Sequence, residues 1–400
     1  MGKFTLPTRG PQAKLGLDIG SRYIKITQLN PSAHGIQMVN FGIAATPIGS
    51  ITEGVINNAE AIGEAIKQIV KYFNIREKRV VCSLPGRAVV IRQVTLPAGL
   101  SEKELKVAAI GEVERFLPFP LDEMEYDYEI LGELRQGEVK QTSVLFIAAH
   151  REAVQRRIEA ARVAGLESVE VDVDPFVILR SVVESGLYED QDTYTQTFLL
   201  IDMGAASTSV SIVKNGVLRF TRIFAISGDT LTHAIESGLG CSFLEAEKIK
   251  KERAVAYIDE EREDNDRETR EIHDMIISHL EALSLEIRRS LAYYTSKYRG
   301  EEVTKIVLTG GASMLKGIGR YFDEDLGIPI VFGNPLGNIS YIGEQDLDFV
   351  SATAPFLAVA TGLSLRQIPL KILGRYCLRV NIEPTYEFGS TAQANMLSSS

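Results

Sequence analysis

Tryptophan is absent from this 400-residue sequence, and cysteine occurs three times, as Cys82, Cys241 and Cys377. Thiols so few and so scattered exclude a disulfide framework and a CxxC metal site, and a reducing compartment is expected. Basic charge is scarce as well: 43 Lys and Arg against 53 Asp and Glu leave a net charge of −10. A general nucleic-acid binder needs a concentrated basic surface, so that class is excluded, and any polyanion held must be small and locally cradled. Long hydrophobic runs are also rare. The opening "MGKFTLPTRGPQAKL" has basic residues but no apolar core behind them, so no signal peptide is expected, and Leu6 breaks the myristoylation pattern. The most membrane-like stretch, Phe349 to Leu365, is short, rich in Ser, Thr and Ala, and interrupted by Pro355. It reads as a buried helix with a small-residue face, and the protein is expected to be cytoplasmic.

With 45% hydrophobic residues the chain can bury a large core, and its length suggests two or more domains. The segment "AKLGLDIGSRYIKITQLN" reads as a hairpin whose turn carries Asp18, Gly20 and Ser21. Such residues are common turn formers, and by themselves indicate only a turn. About 180 residues later "QTFLLIDMGAASTSVSIVKNGVLRFTRIF" repeats the arrangement, with Asp202, Gly204 and Ser207 after an apolar strand. Two copies of an uncommon strand-turn-strand suggest two similar halves facing a cleft. A third element, "IVLTGGASMLKGIGRYF", runs a strand into Gly310, Gly311 and Ser313 and then a helix, where backbone can approach a ligand closely and a helix N-terminus favours negative charge.

Between these elements the periodicity places Ile62, Ile66, Ile69 and Phe73 on one helical stripe, and Ile276, Leu280, Leu283, Ile287 and Leu291 on another. Ser101 and Glu104 have capping-box spacing at the start of a helix that ends near "RFLPFP". A strand, a turn at Gly137, a second strand and a helix follow, so a compact α+β unit is expected over residues 79–166. In "VEVDVDPF" two acids, Asp172 and Asp174, end a strand before a helix. His273 and His279 lack metal-ligand spacing and read as surface or satisfied residues.

The three turns in this order resemble the actin-like ATPase superfamily. The resemblance implies an α/β, ribonuclease H-like fold of two lobes around Mg-ATP, here with an inserted α+β subdomain in place of the actin one. It implies that Asp18 and Asp202 hold magnesium through water, that Gly20, Ser21, Gly204 and Ser207 line the phosphates, and that Gly310, Gly311 and Ser313 bracket adenosine. Glu247 and Lys250 in "AEKIKKE" match the acid and lysine near sugar and base, with Glu245 and Lys248 offering the same spacing. Asp172 or Asp174 lies at the connection where such proteins position the attacking water.

The inserted unit, with "FLPFPLDE", "VDVDPF" and "LGCSFLEAEKIKK", resembles the PilM family of type IV pilus assembly proteins over about residues 14–366. That resemblance implies a platform, peripheral on the inner membrane through its partners. It would grip the N-terminal tail of a PilN-like single-span protein and link it to the pilus motor ATPases and platform protein. Phe116, Leu117 and Phe119 are the candidate contacts for that tail, the alternative being that they cap the unit's own core. Self-association is left open, and hydrolysis of ATP is expected to be slow or absent. An FtsA-like filament-forming division protein and a small-molecule kinase of the same superfamily are the alternatives.

The expected parts are residues 1–78 for the start of the first lobe, 79–166 for the insertion and 167–240 for the connection and second lobe. Residues 241–304 form a helical subdomain, 305–345 the adenosine motif and 346–370 the return to the first lobe. Residues 371–400, in which Lys371, Arg375 and Arg379 recur every four residues, are a flexible or amphipathic tail.

Overall fold

The computed structural model describes residues 15–33, 35–136, 139–182, 196–258, 266–298, 300–343, 347–366 and 368. The turn at Gly137 and the tail from residue 371 lie outside them.

The first lobe begins with the expected hairpin, β1 (Leu15–Ile19) and β2 (Tyr23–Ser32), and continues antiparallel into β3 (Gly35–Ala45). A small hairpin of β4 (Ile51–Thr52) and β5 (Val55–Ile56) leads into α1 (Ala59–Tyr72). Asn58 caps α1 by accepting from the Ala61 N–H, and Ile62, Ile66 and Ile69 bury its inner stripe. Parallel strands β6 (Arg79–Leu84) and β10 (Glu167–Val173) extend the sheet past β1, and β16 (Ile339–Tyr341) closes its far edge beside β3.

The second lobe repeats this order. An antiparallel meander of β11 (Thr197–Met203), β12 (Thr208–Lys214) and β13 (Val217–Phe224) is extended by parallel β14 (Lys305–Thr309) and β15 (Ile330–Phe332). The orders β3-β2-β1-β6-β10 and β13-β12-β11-β14-β15 have the same topology, so the duplication read in the two turns extends through five strands.

Between β6 and β10 stand β7 (Val89–Pro97), α2 (Glu102–Val113), β8 (Met124–Gln136) and β9 (Val139–His150), a separate three-stranded sheet of order β7-β9-β8. Its core is Leu96, Leu105, Ala109, Val113, Met124, Val144, Phe146 and Ala148, and the Ser101–Glu104 capping box starts α2. The insertion is therefore narrower than residues 79–166. Strand β6 pairs with β1, and α3 (Arg151–Val163) packs on α1 and β10, so both ends of that range belong to the first lobe. The return to the first lobe likewise begins earlier than residue 346, because β16 already pairs with β3.

Helix α4 (Asp174–Val182) lies between the lobes, where Phe176, Ile178 and Leu179 join Phe198, Leu200 and Val307 of the second sheet. In the second lobe α5 (Gly228–Leu239), α6 (Phe243–Glu252), the long α7 (Arg267–Lys297) and α8 (Ile318–Leu326) follow. Ile276, Leu280, Leu283 and Ile287 of α7 enter the second lobe's core as the periodicity requires.

The membrane-like stretch becomes α9 (Leu347–Thr353), a 3-10 turn over Ala354–Leu357 at Pro355, and α10 (Ala358–Leu365). Helix α10 is buried except at the half-buried Val359, and it crosses β1, β2, β6 and α4. Its small residues let backbones meet: a Cβ on Gly16 would sit 2.0 Å from the Ala360 carbonyl oxygen, and one on Gly362 would sit 2.0 Å from that of Val177. Gly16→Ala is expected to lower stability by about 3 kcal/mol, because rigid backbone cannot yield to the added methyl. Denaturant titration checks this; an unchanged midpoint would mean that α10 can shift.

Candidate functional site

The two hairpin turns meet at a cavity of about 500 Å³ between the lobes. Each turn is built alike. The Gly20 N–H bonds the Tyr23 carbonyl at 3.2 Å and the Gly204 N–H bonds the Ser207 carbonyl at 3.0 Å. A Cβ at either glycine would come within 2.8 or 2.9 Å of the same carbonyl oxygens, which is why both turns carry glycine. Each turn also sets its aspartate one residue before the strand's end, Asp18 in β1 and Asp202 in β11.

Of the residues named from the sequence, Asp18, Gly20, Ser21, Asp174, Asp202, Gly204, Ser207, Glu247, Lys250, Gly310 and Gly311 all line this cavity. Glu247 and Lys250 form an ion pair at 2.6 Å, and both bond the Thr232 hydroxyl at 2.7 Å. Glu245 instead accepts from Ser242 in a capping box at the start of α6, so the competing pair is used up in building the helix.

Two named residues fall elsewhere. Ser313 is buried and its hydroxyl donates to the Gly310 carbonyl at 2.6 Å, so it shapes the turn and does not line the cavity. Asp172 is fully buried, shared by Arg180 at 3.0 Å and by Arg366, and it too is absent from the lining. Its expected role in positioning water is thereby corrected: two guanidiniums occupy the carboxylate, and they hold it well below the ordinary carboxyl range against the opposing effect of burial. Asp174, two residues on, is the acid that reaches the cavity, and its Oδ1 has no partner.

Burial and mutual proximity shift the acids of the cavity. Burial, then repulsion from Asp18, push the Asp174 carboxyl up to about 8, despite a hydrogen bond from Ser83. Burial pushes Asp202 up to about 6, with Lys25 pulling it down and Asp18 pushing it up. Lys25 binds Asp18 at 2.7 Å. Among the described residues no three His, Cys, Asp or Glu side chains form a ready-made metal cage.

Sequence reasoning missed several lining residues. Lys25 was visible as a lone cation in the apolar strand "YIKITQL", opposite Asp18 in the β1–β2 register. Arg157 stands on the buried stripe of α3 with Val154, Ala160 and Ala161, a charge where an apolar residue belongs. Phe356 meets Tyr23 edge-on across the cavity, at 5.9 Å between ring centroids. The lobes are also latched: Arg22 binds Asp229 at 2.9 Å and lies 4.0 Å over the Phe243 ring, while Lys251 bonds the Tyr23 hydroxyl at 2.9 Å.

On the inserted unit, Phe116 and Phe119 are 48% and 44% exposed, whereas Leu117 packs partly into that unit's core. Phe116 lies between the guanidiniums of Arg92 and Arg115, beside a shallow groove along β7. Strand β7 pairs only with β9 among the described strands, so its other edge is open.

With this geometry established, a family model described as type IV pilus assembly protein PilM matches residues 16–368. Among solved structures the chain is similar to one titled as the PilM-PilN type IV pilus biogenesis complex, at 28% identity and a TM-score of 0.77, covering 90% of this chain and 100% of that one. It is also similar to MreB5 of Spiroplasma citri bound to AMPPNP, at 13% identity and a TM-score of 0.51, covering 88% and 95%. Among curated relatives, the cell division protein FtsA of Bacillus subtilis strain 168 is 23% identical over 376 residues, 84% of this chain and 81% of the relative. These likenesses place the fold among the actin-like ATPases.

Two outcomes separate Asp172 from Asp174. Asp172→Ala leaves two buried guanidiniums uncompensated and is expected to lose about 3–5 kcal/mol of stability. The Asp172 contribution is present above the unfolded carboxyl value near ~3.9 and is lost as pH falls through its lower folded value. Asp174→Asn is expected to stabilise the ligand-free protein at pH 8, because the folded state holds a proton that the unfolded chain releases. That gain shrinks as pH falls toward ~4, where both states are protonated. Melting curves of both variants across pH test these signs, and an Asp174→Asn protein less stable than the parent at pH 8 would contradict the electrostatics.

Proposed function

We propose that this chain, which belongs to the PilM family of type IV pilus assembly proteins, is an ATP-binding cytoplasmic platform of the pilus inner-membrane complex. Its inserted unit grips the N-terminal tail of a PilN-like membrane protein. The observation that carries the nucleotide reading is the convergence of Asp18 and Asp202, from equivalent turns of the two lobes, on one cavity. Gly20, Ser21, Gly204 and Ser207 line the phosphates, Gly310 and Gly311 face adenosine, and Glu247 with Lys250 lie near sugar and base. Asp18 and Asp202 hold hydrated magnesium, which offsets triphosphate charge that the acidic protein would otherwise repel. Nucleotide-bound actin-like proteins of the same fold, such as the AMPPNP complex of MreB5, support this reading.

ATP serves as a clamp between the lobes, with turnover slow or absent. Asp174 lines the cavity and is the acid assigned to orient a water; pushed up to about 8, it is mostly protonated near neutrality, which weakens it as a base.

The relative found in a complex with PilN, at 28% identity, supports a PilN-like partner. The exposed rings of Phe116 and Phe119, next to the open β7 edge, suit an extended peptide that adds hydrogen bonds to the sheet and seats apolar side chains. Through that partner the protein is peripheral on the inner membrane and is linked to the motor ATPases and platform protein.

Titration of the full chain with Mg-ATP, and with the partner's synthetic N-terminal peptide, tests both halves. Asp18→Ala with Asp202→Ala is expected to weaken Mg-ATP binding at least about 100-fold, the loss of two charge-assisted sites. Phe116→Ala with Phe119→Ala is expected to weaken the peptide at least about tenfold. Phosphate release at ordinary enzyme rates would refute the clamp. ATP-dependent polymers without peptide binding would favour an FtsA-like filament.

A further inference from the structure

Arg157 is the largest side chain that the fold buries completely, at 1% exposure. Two backbone carbonyls hold it, Ala153 at 3.0 Å and Gly54 at 3.1 Å, and its Nε has no partner. The other two deeply buried arginines, Arg180 and Arg366, share the Asp172 carboxylate. Among the described residues Arg157 has no such anion within ion-pair distance, and a buried cation left that way is unfavourable unless something compensates it. Burial accordingly lowers its pKa, while its electrostatic neighbours Asp174, Cys82 and Asp18 act the other way.

Asp174 and Asp18 act on this charge from a distance, and neither of them bonds it. Arg157 lines the cavity together with Gly54, Ser83, Arg87 and Asp174. Its acidic neighbours are Asp174 at the start of α4 and Asp18 at the first turn, and the Glu247 and Lys250 pair is not among them. Gly54 belongs to the β4–β5 hairpin, where Glu53 at φ 51° and Gly54 at φ 80° turn the chain so that a carbonyl faces the guanidinium. The fork is thus fixed in place before any ligand arrives, and an anion at this end of the cavity would supply the missing partner.

We propose that Arg157 contacts the outermost phosphate of a bound nucleoside triphosphate, so that the cleft distinguishes a triphosphate from a diphosphate. This rests on the reading of the cleft as a nucleotide site. A diphosphate held by the two turns has no group to reach Arg157.

The test compares Mg-ATP and Mg-ADP affinities of the full chain with those of Arg157→Gln and Arg157→Lys, alongside each protein's melting temperature without nucleotide. Wild type is expected to favour Mg-ATP. Arg157→Gln is expected to lose about tenfold or more of that preference while Mg-ADP affinity stays within about twofold, the effect of one charged contact removed. Arg157→Lys, which keeps the charge without the fork, retains part of the preference and serves if the Gln variant does not fold. An unchanged ATP-to-ADP ratio in a folded variant, or an equal loss for both nucleotides, overturns the proposal and leaves the nucleotide reading intact. Wild type that binds neither nucleotide overturns both.

Discussion

One carboxylate fastens the region on which the cleft is built. Asp172, at the end of β10, is shared by Arg180 of α4 and Arg366 just beyond α10, and Arg180 also donates to the Gly362 carbonyl at 2.9 Å. Strand, crossing helix and returning helix are therefore tied at one buried point between the sheets. Asp174 follows two residues later, so its aim into the cavity depends on that tie. Glycines at positions 16 and 362 let the same helices pack backbone against backbone, which leaves little freedom for the junction to slide. Motion between the lobes must then be taken up elsewhere, at the surface contacts of Arg22, Asp229, Lys251 and Tyr23.

The cleft gathers Asp18, Asp174, Asp202 and Glu247 from separate parts of the chain, together with Arg22, Lys25, Arg87, Arg157, Lys250 and Lys251. Lys25 answers Asp18, but Asp174 and Asp202 retain raised pKa values from burial and mutual repulsion. The inserted sheet, meanwhile, keeps its own core, and β7 pairs only with β9 among the described strands, away from the cavity between the lobes.

Much of this was legible in the chain. The Asp-x-Gly turns stand out because a strand rarely gives up its last positions to an acid and a glycine, and their repetition disclosed the duplication. The capping box at Ser101 and the stripe of α7 followed from local spacing alone. Boundaries were harder: β6 and α3 sit next to the insertion in sequence but pair with β1 and α1, and pairing between distant segments leaves no local mark. Asp172 and Asp174 look alike in "VDVDPF", and only the arginines from α4 and beyond α10 tell them apart. Glu245 and Glu247 were separable in principle, since Ser242 three residues before Glu245 is itself a capping signal.

The duplicated hairpins share their strands and turns but not their charge. Where Lys25 stands opposite Asp18, Ser209 stands opposite Asp202. The two lobes, alike in topology, have lost their interchangeability at this position. A symmetric cleft could accept an elongated anion in either direction. This one carries its cation at that register on the first lobe alone: Lys25 bonds Asp18 at 2.7 Å and also pulls on Asp202 of the facing lobe, so a single side chain serves both acids.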